Sequence, residues 1–373
     1  MPISFGFLGT FPPTHCGIAT FSQSLMRSIV AGDSGDRVGV VRVMDSPGPS
    51  GPEVVGHLRT DVPATHLAAA DALNSFDIAI IQHEYGIYGG PDGDQLLSVL
   101  DHVRVPVVVV AHTVLARPTP RQASVLRRVV QASAAVVVMT DAARGRMIER
   151  YGADPTRVIV IRHGATVRMD AEPVALDHPM ILTWGLLGPG KGIEWAIDGL
   201  RRLRRLRPLP SYVVAGKTHP RVWKQQGEAD RRGLRRRAID VGASDMLRFD
   251  GSYVDEVTLD GLIRSADVVL LPYDSLEQVT SGVLVEAVAA GKPVVATAFP
   301  HAVELLSSGA GLVVEQLDGA AIGEALYRVL TEPGEAQRMR AEAARIAPSL
   351  GWPAMADQYR ALAGVVLAET PVG

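Results

Sequence analysis

The chain has 373 residues, 47% hydrophobic and only 5% aromatic, so it can fill two cores and must fill them largely with Val, Ile, Leu and Ala. A net charge of -3 argues against a strongly basic nucleic-acid binder, and a single cysteine, Cys16, excludes an internal disulfide or a cysteine metal cluster. No apolar run reaches the roughly eighteen residues of a membrane span, and Met-Pro-Ile-Ser opens directly into a strand-like segment rather than an export leader, so a cytoplasmic location is expected.

Short apolar runs at 3–8, 38–43, 77–81, 106–111, 134–139 and 158–161 predict buried strands. Helical patterns lie between them at 18–30, 121–131 and 142–151, the last with Thr140-Asp141 as its N-terminal cap. Residues 167–178, rich in Asp and Pro and without a period, read as a linker. Alternation then resumes, with strands at 180–184, 212–215, 247–249, 268–271, 293–296 and 311–314. Helices follow at 193–206, 282–290 and 320–330, and the tail at 353–367 forms another. The pattern predicts an α/β fold of two doubly wound domains, 1–170 and 179–350, with ligand bound where strand C-terminal ends face an interdomain cleft.

Several segments carry chemistry. Ser281-Gly282-Val283-Leu284-Val285-Glu286 starts a helix after a strand, where unpaired backbone N–H groups suit a phosphate. Glu286 lies one turn in, able to accept from two ribose hydroxyls, although a Ser cap with a solvated Glu also fits. Gly185-Leu-Leu-Gly-Pro-Gly-Lys191-Gly192 joins a strand to a helix and reads as an anion-binding loop with a cation, or as a plain turn. It lacks the Gly-Lys-Ser/Thr of an ATPase loop. The chain has only four lysines, of which Lys191, Lys217 and Lys292 each follow a glycine; such positions suit a compact point charge, or reflect chance. In the first half Gly17 opens a helix after Pro12-Pro13, and His83-Glu84 and His112 end strands. These histidines are either functional or structural, and they lack metal-ligand spacing. The arginine runs at 201–207 and 231–237 read as solvated faces, with anionic lipid as the alternative contact.

Taken together and in this order, the motifs resemble the retaining GT-B glycosyltransferases, in the large family that includes sucrose synthase and the phosphatidylinositol mannosyltransferases. The resemblance runs from Pro12-Pro13 and Gly17 through His112, Arg162-His163-Gly164, the Lys191 loop, Glu286-Ala287 and Gly291-Lys292-Pro293 to Trp352. It implies two Rossmann-like domains, with the C-terminal helix at 353–368 crossing back to the first. It implies that Lys191 binds the donor diphosphate, Ser281, Gly282 and Val283 a phosphate, and Glu286 the ribose. His112 would contact the transferring sugar, Gly17 the diphosphate, and Ser252 and Tyr253 the nucleotide base. His83 and Glu84 fall to the acceptor side.

Two positions depart from the family. Gln278 stands where the first glutamate of a pair is expected, and it can hydrogen-bond hydroxyls but cannot act as a base. Leu186 stands where an arginine is expected, a missing cation that Lys217 can replace. The implied activity is a metal-independent, retaining hexosyl transfer, with mannose slightly favoured over glucose. The donor is a nucleoside-diphosphate sugar and the acceptor a carbohydrate or a lipid-linked one, with peripheral membrane association through the arginine-rich surface as an alternative to a purely cytoplasmic location. No cofactor is expected. The alternatives are an epimerase or hydrolase on the same fold, or a non-catalytic nucleotide-sugar sensor.

Overall fold

A computed structural model of the chain describes residues 1–32, 35–166, 172–218, 222–224, 227–250 and 256–369. It divides into two compact units, Met1–Gly164 with Trp352–Gly373, and Ala165–Gly351.

The first unit is built on β1 (Ser4–Gly9), β2 (Arg37–Met44), β3 (Val54–Arg59), β4 (Ile78–His83), β5 (Val107–Ala111), β6 (Ala135–Val138) and β7 (Val158–Val160). They form one parallel sheet in the order β3-β2-β1-β4-β5-β6-β7. Residues of β1, β4 and β5 are buried on both faces, which is why these strands read as continuous apolar runs. Alternate side chains feed two cores. Phe5, Phe7, Val108 and Val110 meet Phe21, Leu25 and Trp352. Leu8, Val41, Ile81 and Val109 meet Leu73, Leu96 and Val99 on the other side.

Helix ends in this unit follow local chemistry. Thr119 and Gln122 cap helix Pro120–Gln131 reciprocally, and Thr140 caps Asp141–Tyr151, which stops at left-handed Gly152. The C-terminal helix Trp352–Glu369 belongs to the first unit. Its Arg360 Nε meets buried Asp36 at 2.6 Å, while Arg360 Nη2 donates to the Ile29 carbonyl at 2.7 Å. The other oxygen of Asp36 accepts from Ile3 N at 2.8 Å, so one carboxylate ties together three stretches distant in sequence.

The second unit holds β8 (Met180–Trp184), β9 (Ser211–Ala215), β10 (Leu247–Asp250), β11 (Val268–Leu271), β12 (Val294–Thr297) and β13 (Gly311–Val314). The sheet is again parallel, in the order β10-β9-β8-β11-β12-β13, the Rossmann order. The unit begins at Ala165, earlier than the composition break at 167–178. Ala165 N bonds the Leu350 carbonyl at 2.7 Å and Val174 N bonds Ser265 Oγ at 2.6 Å, so chain just before the expected linker and at Val174 within it already packs on the second unit.

Elements absent from the sequence reading include β3 and the helices Ala64–Leu73, Ala229–Asp240, Glu256–Ser265, Pro300–Leu306 and Pro333–Ile346. The expected helix at 193–206 is α-helical over Ile193–Gly199 and continues as 3-10 turns over Leu200–Leu203. Among the described residues no helix is long and apolar enough to cross a membrane.

Candidate functional site

In the second unit the strand order reverses between β8 and β11, and the loops leaving these two strands lie together. The loop after β8 carries left-handed Gly185, Gly190 and Gly192. Gly192 is required twice over: its φ is +62°, and a Cβ there would stand 1.9 Å from the Pro272 carbonyl oxygen of the loop after β11. Asp274 N donates to Gly190 O at 3.3 Å, joining the same two loops. Gly216, after β9, presses on Gly185 O, where a Cβ would come within 2.1 Å. Lys191 Nζ stands 4.0 Å from the centroid of the buried Tyr273 ring. Among the described residues no carboxylate lies within ion-pair distance of that ammonium group.

The loop after β11 ends at helix Gly282–Ala289. Ser281 Oγ accepts from Leu284 N at 3.2 Å, leaving the N–H groups of Gly282 and Val283 as the open ones of the first turn. Ser281 N in turn donates to Nδ1 of buried His301 at 2.8 Å, which fixes the cap from behind. One turn in, Glu286 Oε2 accepts from Trp184 Nε1 at 3.2 Å, across from β8. Gln278 folds onto its own loop, its amide donating to the Thr280 carbonyl. This end of the unit therefore gathers a cation, open backbone donors and a carboxylate held in place by an indole.

The first unit has a different end. There, Gln82, His83 and His112 lie at or beyond the ends of β4 and β5. His112 Nε2–H donates to Gln82 Oε1 at 2.7 Å, which leaves Nδ1 as the acceptor of a neutral ring. Phe21 packs edge-on against His112 at 4.9 Å, His163 at 5.1 Å and Trp352 at 5.0 Å. Burial pushes the His112 imidazole down to about 3, with His163 and His83 adding to the effect. Burial likewise holds His83 and His163 at about 4, although the Gly164 carbonyl, accepting from His163 Nδ1 at 2.6 Å, opposes it for the latter. Gly164 itself must lack a side chain, because a Cβ would meet the Trp352 indole at 2.4 Å.

With this geometry in view, two family matches tile the chain: residues 17–167 match "Glycosyltransferase Family 4" and residues 168–346 match "Glycosyl transferases group 1". The chain belongs to the group 1 glycosyltransferases of GT-B fold. A D-inositol 3-phosphate glycosyltransferase of Frankia alni is 29% identical over 246 residues, covering 62% of this chain and 58% of the relative. The chain spans about half the length of the curated relatives it matches. By fold it is similar to sucrose-phosphate synthase of Thermosynechococcus elongatus, with a TM-score of 0.78, 16% identity and coverage of 99% of this chain and 100% of the other. Anabaena HepE, solved in complex with UDP and glucose, is similar with a TM-score of 0.75, 16% identity and coverage of 97% and 100%.

In the second unit Lys191, Ser281, Gly282, Val283, Glu286 and Gln278 all lie on the two loops that leave β8 and β11 or on the helix that follows. Lys217 is exposed in the loop after β9, where its carbonyl accepts from Leu187 N at 2.9 Å. Gly17 starts its helix behind Cys16, whose sulfur accepts from Ala19 N, and faces open space. His83 is only 2% exposed, packed against Tyr85 at 5.1 Å, and Glu84 accepts from the Thr113 hydroxyl. Ser252 and Tyr253 lie outside the described residues. Among the described residues no three His, Cys, Asp or Glu side chains come together as a metal-ligand group.

Other sequence signals prove structural. Lys292 Nζ donates to the carbonyls of Arg264 and Ala266 at 2.6 and 3.1 Å, closing the end of helix Glu256–Ser265, and burial lowers its pKa. Several arginines of the basic runs are paired: Arg202 with Glu324, Arg204 with Asp245 and Arg237 with Asp198. The sequence reading left out Gln82, Trp184, Tyr273 and His301, each of which holds a site group by one contact from a distant segment.

Proposed function

We propose that this chain transfers a hexose from a nucleoside-diphosphate sugar to a carbohydrate or lipid-linked acceptor, with retention at the anomeric carbon and without a metal ion. One observation carries the reading: at the switch point of the second sheet the Lys191 ammonium, with no carboxylate partner among the described residues, lies on a loop that adjoins the helix carrying the open N–H groups of Gly282 and Val283 and the Trp184-held carboxylate of Glu286. Cation and helix N-terminus suit a diphosphate, and a fixed carboxylate suits ribose hydroxyls. The UDP and glucose of Anabaena HepE supply the chemistry of such a ligand, and transfer it to this chain by likeness alone.

In the proposed reaction the bond between anomeric carbon and phosphate oxygen breaks. The acceptor oxygen bonds that carbon on the same face, and its proton passes to the leaving phosphate. The protein's task is then to hold the reactants and stabilise charge on the diphosphate, which falls to Lys191 and the helix start. Gln278 contributes hydrogen bonds and no proton transfer. His112, neutral at pH 7, contacts the sugar as a hydrogen-bonding group.

A thermal-shift screen of GDP-mannose, UDP-glucose and related donors finds the donor, because a ligand bound to the native state raises the melting temperature. Nucleoside diphosphate release with sugar acceptors, and NMR of the product's anomeric proton, then test transfer and retention. Release without any acceptor would point to a hydrolase. Binding without turnover across all acceptors would make the chain a sensor. Activity abolished by EDTA and restored only by Mg²⁺ or Mn²⁺ would overturn metal independence. Co-sedimentation with anionic vesicles checks the peripheral location that a lipid-linked acceptor requires.

A further inference from the structure

We propose that Tyr273 is a positioning residue for the anion-binding cation: its ring face holds the Lys191 ammonium in place before ligand arrives. The inference rests on the proposed donor site and extends it to a residue outside the motifs. Lys191 sits on a loop with three left-handed glycines and has no carboxylate partner among the described residues. A lysine with four rotatable bonds in such a loop loses much rotamer freedom when an anion fixes it. Here the ammonium already stands over an aromatic face, 4.0 Å from the centroid, an attraction that strengthens away from water.

The ring is itself immobilised. Tyr273 is 1% exposed and lies against Phe299 with centroids 4.9 Å apart. Its carbonyl accepts from Thr297 Oγ1 and from Gln316 Nε2, the latter at 3.0 Å. The two loops are joined on either side of the contact, at Asp274 N to Gly190 O and at Gly192 against Pro272 O. The Tyr273 hydroxyl is buried with no hydrogen-bond partner among the described residues, and the ring rather than the phenol forms the observed contact. An aromatic face suits this task better than a carboxylate: it orients the cation without neutralising it, and so leaves its charge for the ligand.

The test is a double-mutant cycle read as affinity for UDP, with GDP as a second probe, by calorimetry. Tyr273→Leu should weaken binding about five- to tenfold, as loss of a desolvated cation–π contact implies. Tyr273→Phe, which keeps the ring, should restore affinity to within about twofold. In a Lys191→Met background, Tyr273→Leu should change affinity by less than about twofold, since the group it acts through is gone. Tyr273→Met replaces Tyr273→Leu should the latter fail to fold, because an unbranched side chain fills the space beside Phe299 better. Multiplying effects of the two substitutions would overturn the inference, as would a Phe variant as weak as the Leu variant, which would assign the phenol to the ligand. If Lys191→Met alone left UDP and GDP affinity at wild-type level, the donor site itself would be wrong.

Discussion

The two units end their sheets in opposite electrostatic ways. Beyond the ends of β4, β5 and β7 lie three histidines, His83, His112 and His163, each driven toward neutrality by burial, with the Glu84 carboxylate beside them accepting from the Thr113 hydroxyl. Their partners are neutral as well: Gln82 for His112, a backbone carbonyl for His163, aromatic rings around both. At the ends of β8 and β11 the groups are a lysine and a carboxylate: Lys191 stands over the Tyr273 ring and Glu286 accepts from the Trp184 indole N–H. Two parallel sheets of related strand order thus carry a packed, histidine-rich end and an end built around a lysine and open backbone donors. What differs is the loop: three left-handed glycines after β8 expose backbone and a cation, while bulky aromatic packing follows β1, β4 and β5.

The largest effect should come from removing the charge of the second unit. Lys191→Ala should lower turnover by about 10²- to 10³-fold, the size expected for one lost oxyanion-stabilising group. Steady-state kinetics with the preferred donor checks it, and wild-type turnover would erase the contrast between the units. Next is the neutral partner in the first unit. Gln82→Leu strips the acceptor from a buried His112 Nε2–H, so it should cost about 1–3 kcal/mol in urea unfolding. A variant as stable as wild type would mean that the hydrogen bond does not order this end. Smaller again is Glu286→Gln, which turns charge-assisted bonds to ribose into neutral ones and should weaken UDP or GDP binding about tenfold. Calorimetry that found no change would return Glu286 to a role against Trp184 only.

The fold was largely legible because buried parallel strands write themselves as unbroken apolar runs, and β1, β4, β5, β8, β11 and β12 are all of that kind. β3 was not. It is an edge strand, Val-Val-Gly-His-Leu-Arg, alternating in burial and interrupted by Gly56, so its run is broken where one side faces solvent. Helix Ala229–Asp240 was read as a basic run because its arginines outnumber its buried positions. Glycines and chain punctuation marked the second unit's loops, where Gly192 and Gly216 are dictated by backbone approach. The supporting contacts were hidden for a different reason. Trp184 to Glu286 spans 102 residues and Gln82 to His112 spans 30, and no local period announces a contact made only when two strand ends become neighbours.

The smallest expected effect on the chemistry is that of pH, and it separates the two ends most sharply. With folded pKa values of about 3 for His112 and about 4 for His83 and His163, all three imidazoles stay neutral from pH 8 down to pH 5. Ring-proton NMR of the unliganded chain should therefore show no titration of these three near 6.5. Stability should behave otherwise. The unfolded chain binds a proton at each of the three near the ordinary value of 6.5, while the folded chain refuses it, so unfolding takes up protons as the pH falls. The stabilisation is complete above pH 6.5 and is lost progressively as pH drops toward about 4, at up to about 1.4 kcal/mol per pH unit for each histidine. The second unit has no such buried cluster among its described histidines, of which His178 is paired with an exposed Asp177 and His301 caps from behind Ser281. Urea midpoints followed between pH 7 and pH 4.5 by probes local to each unit, Trp352 in the first and Trp184 in the second, should fall earlier for the first. Equal midpoints at every pH, or NMR titration of His112 near 6.5, would mean that the first unit's end is as open to water and charge as the second's.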